Sequence, residues 1–310
     1  MERKKVYLKE YIYEGAVEEL RKYCDVVDCF DDIEKIEAII TRGEDINRDI
    51  ISRAINLKVI GKHGVGVETI DLEAAKDYGV KVVFTPGCNS HSVAELSIGL
   101  MLDICRKITL SRTKVIEGEV DEIAPKEYQG IELAGRVIGY IGMGRVSQES
   151  LKILKNGFGM RAIGYDPFLD KDVFDSMGVE KKDEMDDVFK EADVIHVSIP
   201  LTDETRGLIG EKQISLMKPS AILINTSRGY IVDEKALYKA IKEKAIWGAA
   251  SDVFDIEPIE KGNPLLLLDN FVGTPHIGAC TEEAMIRMGS TVVKEVLTVL
   301  KGKEPRYRVV

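Results

Sequence analysis

Short apolar segments alternate along the chain with longer segments in which apolar residues recur every three or four positions. The short segments predict β-strands, and the longer ones predict helices such as Ala16–Tyr23 and Leu72–Tyr78. The strands predicted in the first part of the chain are Val6–Leu8, Asp25–Phe30, Glu37–Thr41, Lys58–Gly61 and Val80–Thr85. Because strands and helices alternate, we expect a parallel sheet covered by helices.

A second series of strands follows a long helical segment. That segment continues to about Ile108, and Ser92 and Glu95 have the spacing of a capping box at its start. The strands of the second series are predicted at Arg136–Ile141, Arg161–Asp166, Asp193–Ile199, Ala221–Asn225, Trp247–Val253 and Phe271–Gly273. Several are apolar on both faces, as central strands of a parallel sheet should be. A last helical pattern, Thr281–Lys301, is long enough to return to the first series.

The composition is that of a globular protein with room for two domains. Of its 310 residues, 45% are hydrophobic and 31% are charged. No apolar run reaches the roughly 18 residues of a membrane-spanning helix. The apolar part of the first eight residues is too short for a signal peptide. A net charge of −10 argues against nucleic acid and anionic membranes as partners.

The cysteines are scattered, odd in number and without a Cys-x-x-Cys pair. They are Cys24, Cys29, Cys88, Cys105 and Cys280. This pattern predicts reduced thiols in the cytoplasm and no metal site. We expect each cysteine to be a small, buried apolar residue.

A glycine-rich turn between a predicted strand and a predicted helix indicates a dinucleotide site. The segment 142–147, Gly-Met-Gly-Arg-Val-Ser, matches the G-x-G-x-x-G pattern except that Ser147 takes the last place. The first glycine allows the tight turn, and the second lets the backbone approach a pyrophosphate at the start of the helix. Asp166 ends the next strand, 24 residues after Gly142, where an acidic residue binds the ribose hydroxyls. No arginine adjoins it to accept a 2′-phosphate, so the expected cofactor is NAD.

Three polar segments follow later strands of the same series. They are Asn225–Gly229, Asp252–Pro258 and Thr274–Gly278. Because the carboxyl ends of parallel strands line one crevice, these segments should bring Arg228, Glu257 and His276 together. Arginine binds a carboxylate through two hydrogen bonds, and histidine exchanges protons near neutral pH. A carboxylate bonded to the histidine fixes its tautomer.

Together these motifs resemble the D-isomer-specific 2-hydroxyacid dehydrogenases, the family that includes phosphoglycerate dehydrogenase. The resemblance covers nearly the whole chain. Besides the segments above, it includes Gly64–Val67, Asn89, Ser92–Glu95, Pro200–Thr202 and Thr205–Gly207. Departures are Ser147 in place of glycine, Glu68-Thr69 where many relatives have Asp-Asn, and Ser198 where a histidine is common. None of these positions belongs to the set of Arg228, Glu257 and His276.

The resemblance implies a role for each matching residue. Arg228 would bind the substrate carboxylate and polarise the 2-oxo group. His276 would protonate the carbonyl oxygen as hydride arrives, with Glu257 as its carboxylate partner. Asp252 would hold the nicotinamide carboxamide.

The candidate binding residues form two sets. The cofactor set is Gly142, Met143, Gly144, Arg145, Val146, Asp166, Ser198, Pro200, Thr205, Thr226, Asp252, His276 and Gly278. The substrate set is Arg42, Lys62, His63, Val65, Gly66, Asn89, Arg228 and His276. In the substrate set, the backbone N–H groups of Val65 and Gly66 resemble the loop that holds the substrate carboxylate.

The resemblance also implies an α/β architecture of two Rossmann-like or flavodoxin-like parallel-sheet domains. The substrate domain would be discontinuous, residues 1–94 plus 285–310, with the NAD-binding domain, 95–284, inserted in it. The active site would lie in the cleft between them. The family dimerises near the helices around 92–108, so a homodimer is expected. No regulatory domain follows the last helix, so feedback of the kind seen in longer phosphoglycerate dehydrogenases is not expected.

A further expectation is a second anionic group on the substrate, as in 3-phosphohydroxypyruvate. Arg42, Lys62 and His63 follow neighbouring predicted strands just before the carboxylate loop, and phosphoglycerate dehydrogenases carry similar basic residues there. The alternative is that Arg42 pairs with Glu44 or Asp45 and that Lys62 is solvated. The substrate would then have an uncharged tail, as glyoxylate or hydroxypyruvate has.

Two other readings compete with this enzyme. The C-terminal-binding-protein corepressors use the same framework as an NADH-sensing binding module, but they commonly carry an extended disordered tail that this chain does not show. A formate dehydrogenase is disfavoured because those relatives have glutamine at the position of Glu257. Turnover of a 2-oxo acid separates the enzyme from the corepressor.

Overall fold

The computed structural model describes residues 3–310 as alternating strands and helices. Its strands are β1 (Lys4–Tyr7), β2 (Cys24–Val27), β3 (Ile36–Thr41), β4 (Val59–Lys62), β5 (Lys81–Val83), β6 (Val137–Ile141), β7 (Arg161–Tyr165), β8 (Glu180–Lys181), β9 (Val194–Val197), β10 (Ile222–Asn225), β11 (Gly248–Ser251) and β12 (Phe271–Gly273). Its α-helices are α1 (Glu14–Arg21), α2 (Arg48–Arg53), α3 (Leu72–Asp77), α4 (Ser90–Arg106), α5 (Ile108–Glu117), α6 (Arg145–Phe158), α7 (Lys171–Met177), α8 (Met185–Glu191), α9 (Glu211–Ser215), α10 (Glu234–Lys242) and α11 (Glu282–Leu300).

The chain divides into two compact units. The first contains the residues up to 89 together with 279–310, and the second contains 90–278. Each unit has one sheet, of five strands in the first and seven in the second, and the neighbouring strands in each sheet run parallel. The predicted fold class, two parallel-sheet α/β domains, is confirmed. The predicted boundaries were 94 and 285. Residue 94 lies a few residues within the second unit, and residue 285 lies a few residues within the last segment of the first unit.

In the first unit the strand order is β2-β1-β3-β4-β5. Alternate residues of β3 face opposite sides of the sheet: Ala38 and Ile40 join the core beneath α1 and α11, and Ile39 joins the core beneath α2 and α3. The predicted return of the last helix is confirmed, because Val292 and Val296 of α11 belong to the first of these cores. Each such fully buried aliphatic side chain contributes about 1.5–3 kcal/mol.

In the second unit the strand order is β12-β11-β10-β9-β6-β7-β8. The strand β6 comes first in the chain, β7 lies on one side of it and β9 on the other. The strand order therefore reverses between β6 and β9, and ligands of open parallel sheets bind at such a reversal. Apolar cores cover both faces of the sheet, with Leu223 in one and Ile222 and Ile224 in the other.

The structure confirms each predicted strand and corrects three local expectations. The short strand β8 was not predicted, because two residues carry too little pattern. Ser92 is not a helix cap: α4 begins at Ser90, and the Ser92 hydroxyl donates to the carbonyl oxygen of Gly278 at 2.5 Å. Two cysteines, Cys29 and Cys280, are exposed rather than buried. A pattern of apolar residues does not show which single small residue will face solvent.

Among residues 3–310, no helix combines the length and the apolar character needed to cross a membrane.

Candidate active site

The glycine turn after β6 lies close to the end of β9. Gly142 has φ +88°, a conformation that side chains disfavour, and a Cβ there would lie 2.5 Å from the carbonyl oxygen of Ser198. Gly144 is exposed and directly precedes α6, whose first N–H groups have no partner within the helix. The turn therefore offers uncovered backbone beside a positive helix end, as a pyrophosphate requires.

Serine in the last place of the glycine pattern is accommodated within this turn. Ser147 is fully buried, and its hydroxyl donates to the carbonyl oxygen of Gly142 at 2.7 Å. The side-chain amide of Gln148 donates to the carbonyl oxygen of Met143 at 2.9 Å. Two side chains of the first helical turn thus hold the glycine turn, so the departure adds a hydrogen bond instead of breaking the motif.

The carboxylate of Asp166 lies beside the same turn. Its Oδ2 accepts from the backbone N–H of Met143 at 3.0 Å, and its Oδ1 accepts from that of Phe168 at 2.9 Å. These bonds fix the carboxylate at the end of β7, next to the turn. The turn, the helix end and this carboxylate fit a dinucleotide with an unmodified ribose.

The segment after β10 is shaped by a buried amide. Asn225 is 4% exposed, and its Oδ1 accepts from both the backbone N–H and the hydroxyl of Ser227. Its Nδ2 donates to the carbonyl oxygen of Arg228 at 3.0 Å. The Arg228 guanidinium donates to the carbonyl oxygen of Ser227 at 2.6 Å. Asn225 thereby sets the backbone from which the arginine projects.

This segment contacts the one after β11 so closely that a side chain between them would clash. A Cβ on Gly229 would lie 2.0 Å from the carbonyl oxygen of Phe254. The backbone N–H of Phe254 in turn donates to Oε1 of Glu257 at 3.0 Å. The glycine after Arg228 therefore permits the approach that brings Arg228 and Glu257 to neighbouring positions.

Asp252 organises the segment after β12. Its buried carboxylate accepts from the Thr274 hydroxyl at 2.6 Å and from the backbone N–H groups of Ile277 and Gly278, both at 2.8 Å. Burial raises the pKa of Asp252, and these donors oppose the rise. Asp252 is a predicted cofactor residue, and in the structure its carboxylate is bonded to the turn that carries His276.

The backbone of His276 is held in an unfavourable conformation by these bonds. It has φ +53°, which costs a residue other than glycine about 1–3 kcal/mol. Its N–H donates to the carbonyl oxygens of Asp252 and Thr274, at 2.8 and 3.0 Å. Because Asp252 bonds to residues before and after His276 in the turn, it sets the position of His276.

His276 and Glu257 form a direct pair. Nδ1 of His276 lies 2.7 Å from Oε2 of Glu257, and both side chains are partly exposed. Burial raises the pKa of the Glu257 carboxyl, but the hydrogen bond and charge of His276, the Phe254 N–H and the charge of Arg228 together lower it below its usual range. Glu257 is therefore a carboxylate throughout the neutral range.

A second histidine of this unit lies in the core. His196 is fully buried in β9, and its Nε2 lies 3.1 Å from the hydroxyl of Thr226, one of the predicted cofactor residues. Burial lowers the pKa of His196 to about 4, so the ring is neutral at pH 7. The residue fills the core and also orients Thr226.

In the first unit, Arg42 lies in a turn whose backbone is hydrogen-bonded to the carboxylate of Glu10, a residue that was not among the predicted site residues. Glu10 accepts from the backbone N–H groups of residues 42, 43 and 44 and from the hydroxyl of Thr41. The guanidinium of Arg42 donates to Sγ of Cys280 at 3.1 Å. Glu44, an expected alternative partner of Arg42, instead accepts from the hydroxyl of Tyr7.

Lys62 and His63 lie beside Arg42 because β3 and β4 are neighbours. Lys62 is 6% exposed and donates to the hydroxyl of Thr69 at 2.8 Å, so the alternative of a solvated Lys62 is wrong. Thr69 is one of the departures from the family pattern. Burial, and then the charge of Arg42, lower the pKa of His63 to about 4. His63 is therefore neutral at pH 7, and the basic side chains beside it are Arg42 and Lys62.

The remaining substrate candidates come after the carboxyl ends of β4 and β5. The carbonyl oxygen of Gly64 accepts from the N–H and the hydroxyl of Thr85, each at 2.9 Å, which fastens the loop that carries Val65 and Gly66. Val65 is 42% exposed. Asn89 is the last residue of the first unit before α4.

Comparison with known proteins matches both units. A family model described as "D-isomer specific 2-hydroxyacid dehydrogenase, NAD binding domain" matches residues 98–278. The chain is 44% identical over 308 residues to a D-3-phosphoglycerate dehydrogenase of Methanocaldococcus jannaschii, covering 96% of this chain but only 58% of that relative. It is 40% identical over 267 residues to a hydroxypyruvate reductase of Thermotoga maritima, covering 85% of each.

A solved structure has the same fold along the whole chain. It is a D-isomer specific 2-hydroxyacid dehydrogenase of Lactobacillus delbrueckii ssp. bulgaricus in its NAD-complexed form. It is 26% identical to this chain, with a TM-score of 0.82 and 99% of both chains covered.

Proposed function

This chain belongs to the D-isomer specific 2-hydroxyacid dehydrogenases, and we propose that it transfers hydride reversibly between NAD(H) and a small 2-hydroxy or 2-oxo acid. One observation carries the proposal. Three adjacent strands, β10, β11 and β12, present Arg228, Glu257 and His276 at their carboxyl ends, with the histidine bonded to the glutamate at 2.7 Å. An arginine beside a carboxylate–histidine pair is what reduction of a 2-oxo acid requires.

The protein supplies charge and a proton to this reaction. NADH, when bound, supplies the hydride that forms the new C2–H bond. Arg228 binds the substrate carboxylate and stabilises the charge that develops on the 2-oxo oxygen. His276 gives its proton to that oxygen and becomes neutral, and in the reverse direction it takes the proton back. Glu257 holds Nδ1, so we assign the proton transfer to Nε2.

The predicted cofactor residues of the NAD-binding unit follow the carboxyl ends of its strands. We assign the pyrophosphate to the turn at Gly142–Gly144 and the adenosine ribose to Asp166. Further contacts are assigned to Met143, Arg145, Val146, Ser198, Pro200, Thr205, Thr226, Asp252, His276 and Gly278. The hydrogen bond from Ser147 to Gly142 stabilises the turn that is assigned to the pyrophosphate.

We further propose that the substrate carries a second anionic group, with 3-phosphohydroxypyruvate as the leading candidate. Arg42 and Lys62 place two basic side chains at one corner of the first unit, and Glu10 holds the backbone of Arg42 in place. His63, Val65, Gly66 and Asn89 complete the proposed substrate set, and the N–H groups of Val65 and Gly66 are assigned to the substrate carboxylate. Glyoxylate or hydroxypyruvate is the alternative substrate.

A homodimer in the cytoplasm is also proposed. Helix α5 buries none of its residues, and its apolar Ile108, Val115 and Ile116 are each more than half exposed. An apolar patch of this kind marks an interaction surface, and a second copy of the chain is the occupant we expect. The cytoplasmic location rests on the pattern of scattered cysteines, whose thiols are all free.

The test is NADH oxidation by the purified chain against a panel of 2-oxo acids. The panel contains 3-phosphohydroxypyruvate, hydroxypyruvate, glyoxylate and pyruvate. We expect turnover of at least one acid and the highest kcat/KM for the phosphorylated one. A chain that binds NADH but turns over none of the panel would support the binding-module alternative instead.

A further inference from the structure

Tyr230 has a backbone conformation that tyrosine disfavours. It lies two residues after Arg228, has φ +62° and leaves 42% of its surface exposed. A residue other than glycine stays in this region only when its surroundings hold it there, and such residues concentrate at functional sites. The exposed ring is not needed to fill a core.

Both backbone groups of Tyr230 bond to other loops. Its N–H donates to Oδ1 of Asp255, in the segment after β11, at 2.6 Å. Its carbonyl oxygen accepts from the N–H of Gly207, in the segment after β9, also at 2.6 Å. Tyr230 itself follows β10. One residue thus joins the loops that follow three adjacent strands of the NAD-binding unit.

The ring of Tyr230 adds a side-chain contact to the same loop. The guanidinium of Arg206 stands 4.5 Å from the ring centroid, a cation–π distance. Burial raises the pKa of Asp255, and the charge of Arg206 is among the influences that oppose the rise, so the guanidinium also lies near that carboxylate. We call Arg206, Tyr230 and Asp255 the Tyr230 bridge.

The loop that the bridge holds is tied into one piece. The hydroxyl of Thr205 donates to the carbonyl oxygen of Pro200 at 2.7 Å and accepts from the N–H of Thr202 at 2.7 Å. Arg206 directly follows Thr205. A displacement of the Arg206 backbone, whose N–H donates to the carbonyl oxygen of Thr202, would therefore displace the turn that contains Pro200 and Thr205, two of the residues assigned to the cofactor.

We propose that Tyr230 is a positioning residue for the cofactor: its ring holds Arg206, and Arg206 holds the 200–207 loop in the conformation that binds NAD(H). The inference rests on the proposed function, because Pro200 and Thr205 contact the cofactor only under that proposal. The backbone bonds alone do not need a tyrosine, since glycine adopts the same φ without steric strain. The side chain is therefore present for Arg206.

The test compares Tyr230→Gly, Arg206→Gln and their double variant, with Tyr230→Phe as the matched control. NADH binding is measured by fluorescence titration without substrate, and Tm is measured without NADH. We expect the Kd for NADH to rise about fivefold in each single variant, as loss of one cation–π contact predicts, and no further in the double variant. Tyr230→Phe keeps the ring and should bind within about twofold of wild type.

The outcomes separate this inference from a merely structural role. Glycine suits the backbone of residue 230, so Tm of Tyr230→Gly should not fall below that of wild type by more than about 3 °C. If that variant does lose stability, Arg206→Gln, which leaves the backbone unchanged, decides the question alone. Wild-type affinity in both single variants, or losses that simply multiply in the double variant, would overturn the inference. A wild-type chain that binds no NADH would overturn the proposed function as well.

Discussion

Nδ1 of His276 lies 2.7 Å from Oε2 of Glu257, although the two residues are 19 positions apart in the chain. They meet because β11 and β12 are neighbouring parallel strands whose carboxyl ends carry them. The backbone of His276 is anchored separately, by Asp252. The ring is thus oriented by one carboxylate and placed by another, an arrangement suited to a general acid and base.

Removal of the histidine should abolish proton transfer without removing the cofactor site. We expect His276→Ala to lower kcat by about 100-fold or more while NADH fluorescence titration shows binding within a few-fold of wild type. His91→Ala is the control, because His91 is an exposed histidine on α4 that pairs with Glu95. A kcat near that of wild type would remove His276 from the reaction.

The pH dependence should report the Glu257–His276 pair. Because the pKa of Glu257 is lowered in the folded protein, the pair is intact above the ordinary glutamate pKa and is lost only as pH falls through the lowered value. Glu257→Gln removes at every pH the negative charge that faces the His276 ring. The optimum for 2-oxo acid reduction should then move to lower pH in a kcat/KM profile, whereas Glu260→Gln should not move it. Superimposable profiles would show that the pair is not coupled.

Arginine at position 228 should not be replaceable by lysine. Lysine keeps the charge but loses the planar pair of donors that binds a carboxylate. We expect Arg228→Lys to raise KM for the 2-oxo acid and to lower kcat together, each by about tenfold, because the guanidinium acts on both the carboxylate and the developing oxyanion. Arg161→Lys, at an exposed ion pair with Glu180, is the control. Wild-type constants for Arg228→Lys would exclude Arg228 from the site.

Asp166 should determine the preference for NADH over NADPH. A carboxylate accepts hydrogen bonds from the ribose hydroxyls and repels a 2′-phosphate, so kcat/KM should favour NADH by at least about tenfold. Asp166→Asn retains an oxygen for the Met143 N–H but loses the charge. It should therefore lower the ratio of kcat/KM with NADH to kcat/KM with NADPH. Equal efficiency of the wild type with both cofactors would contradict the assignment.

The proposed anion corner predicts a substrate preference that depends on salt. The kcat/KM for 3-phosphohydroxypyruvate should exceed that for hydroxypyruvate, and the difference should shrink at high ionic strength. Arg42→Ala should erase most of the preference while changing hydroxypyruvate reduction little. Arg48→Ala, which removes an exposed arginine paired with Asp77, should leave the preference intact. Equal kcat/KM for the two acids in the wild type would show that this corner does not bind phosphate. An equal fall in kcat/KM for both acids in Arg42→Ala would show the same.

The sequence predicted more of the NAD-binding unit than of the first unit. The glycine turn and the ends of β10, β11 and β12 are local features, readable from glycine spacing and from polar residues that directly follow apolar strands. Arg42 also follows a strand, but its partners lie far from it along the chain. Cys280 lies 238 residues after Arg42, and Glu10 precedes it by 32. No pattern in the sequence marks Glu10 as the residue that holds the Arg42 turn.

The sequence by itself determined the alternation of strands and helices, the parallel sheets and the residue types available for chemistry. It could do so because the period of apolar residues within one segment distinguishes a helix from a strand and indicates which face of that element is apolar. Only the tertiary structure decided what each polar side chain bonds to. Asp252 binds the turn of His276, Lys62 is buried against Thr69, and Tyr230 joins three loops. Hydrogen bonds act over about 3 Å, so partners follow from which strand ends adjoin and how closely the backbones approach.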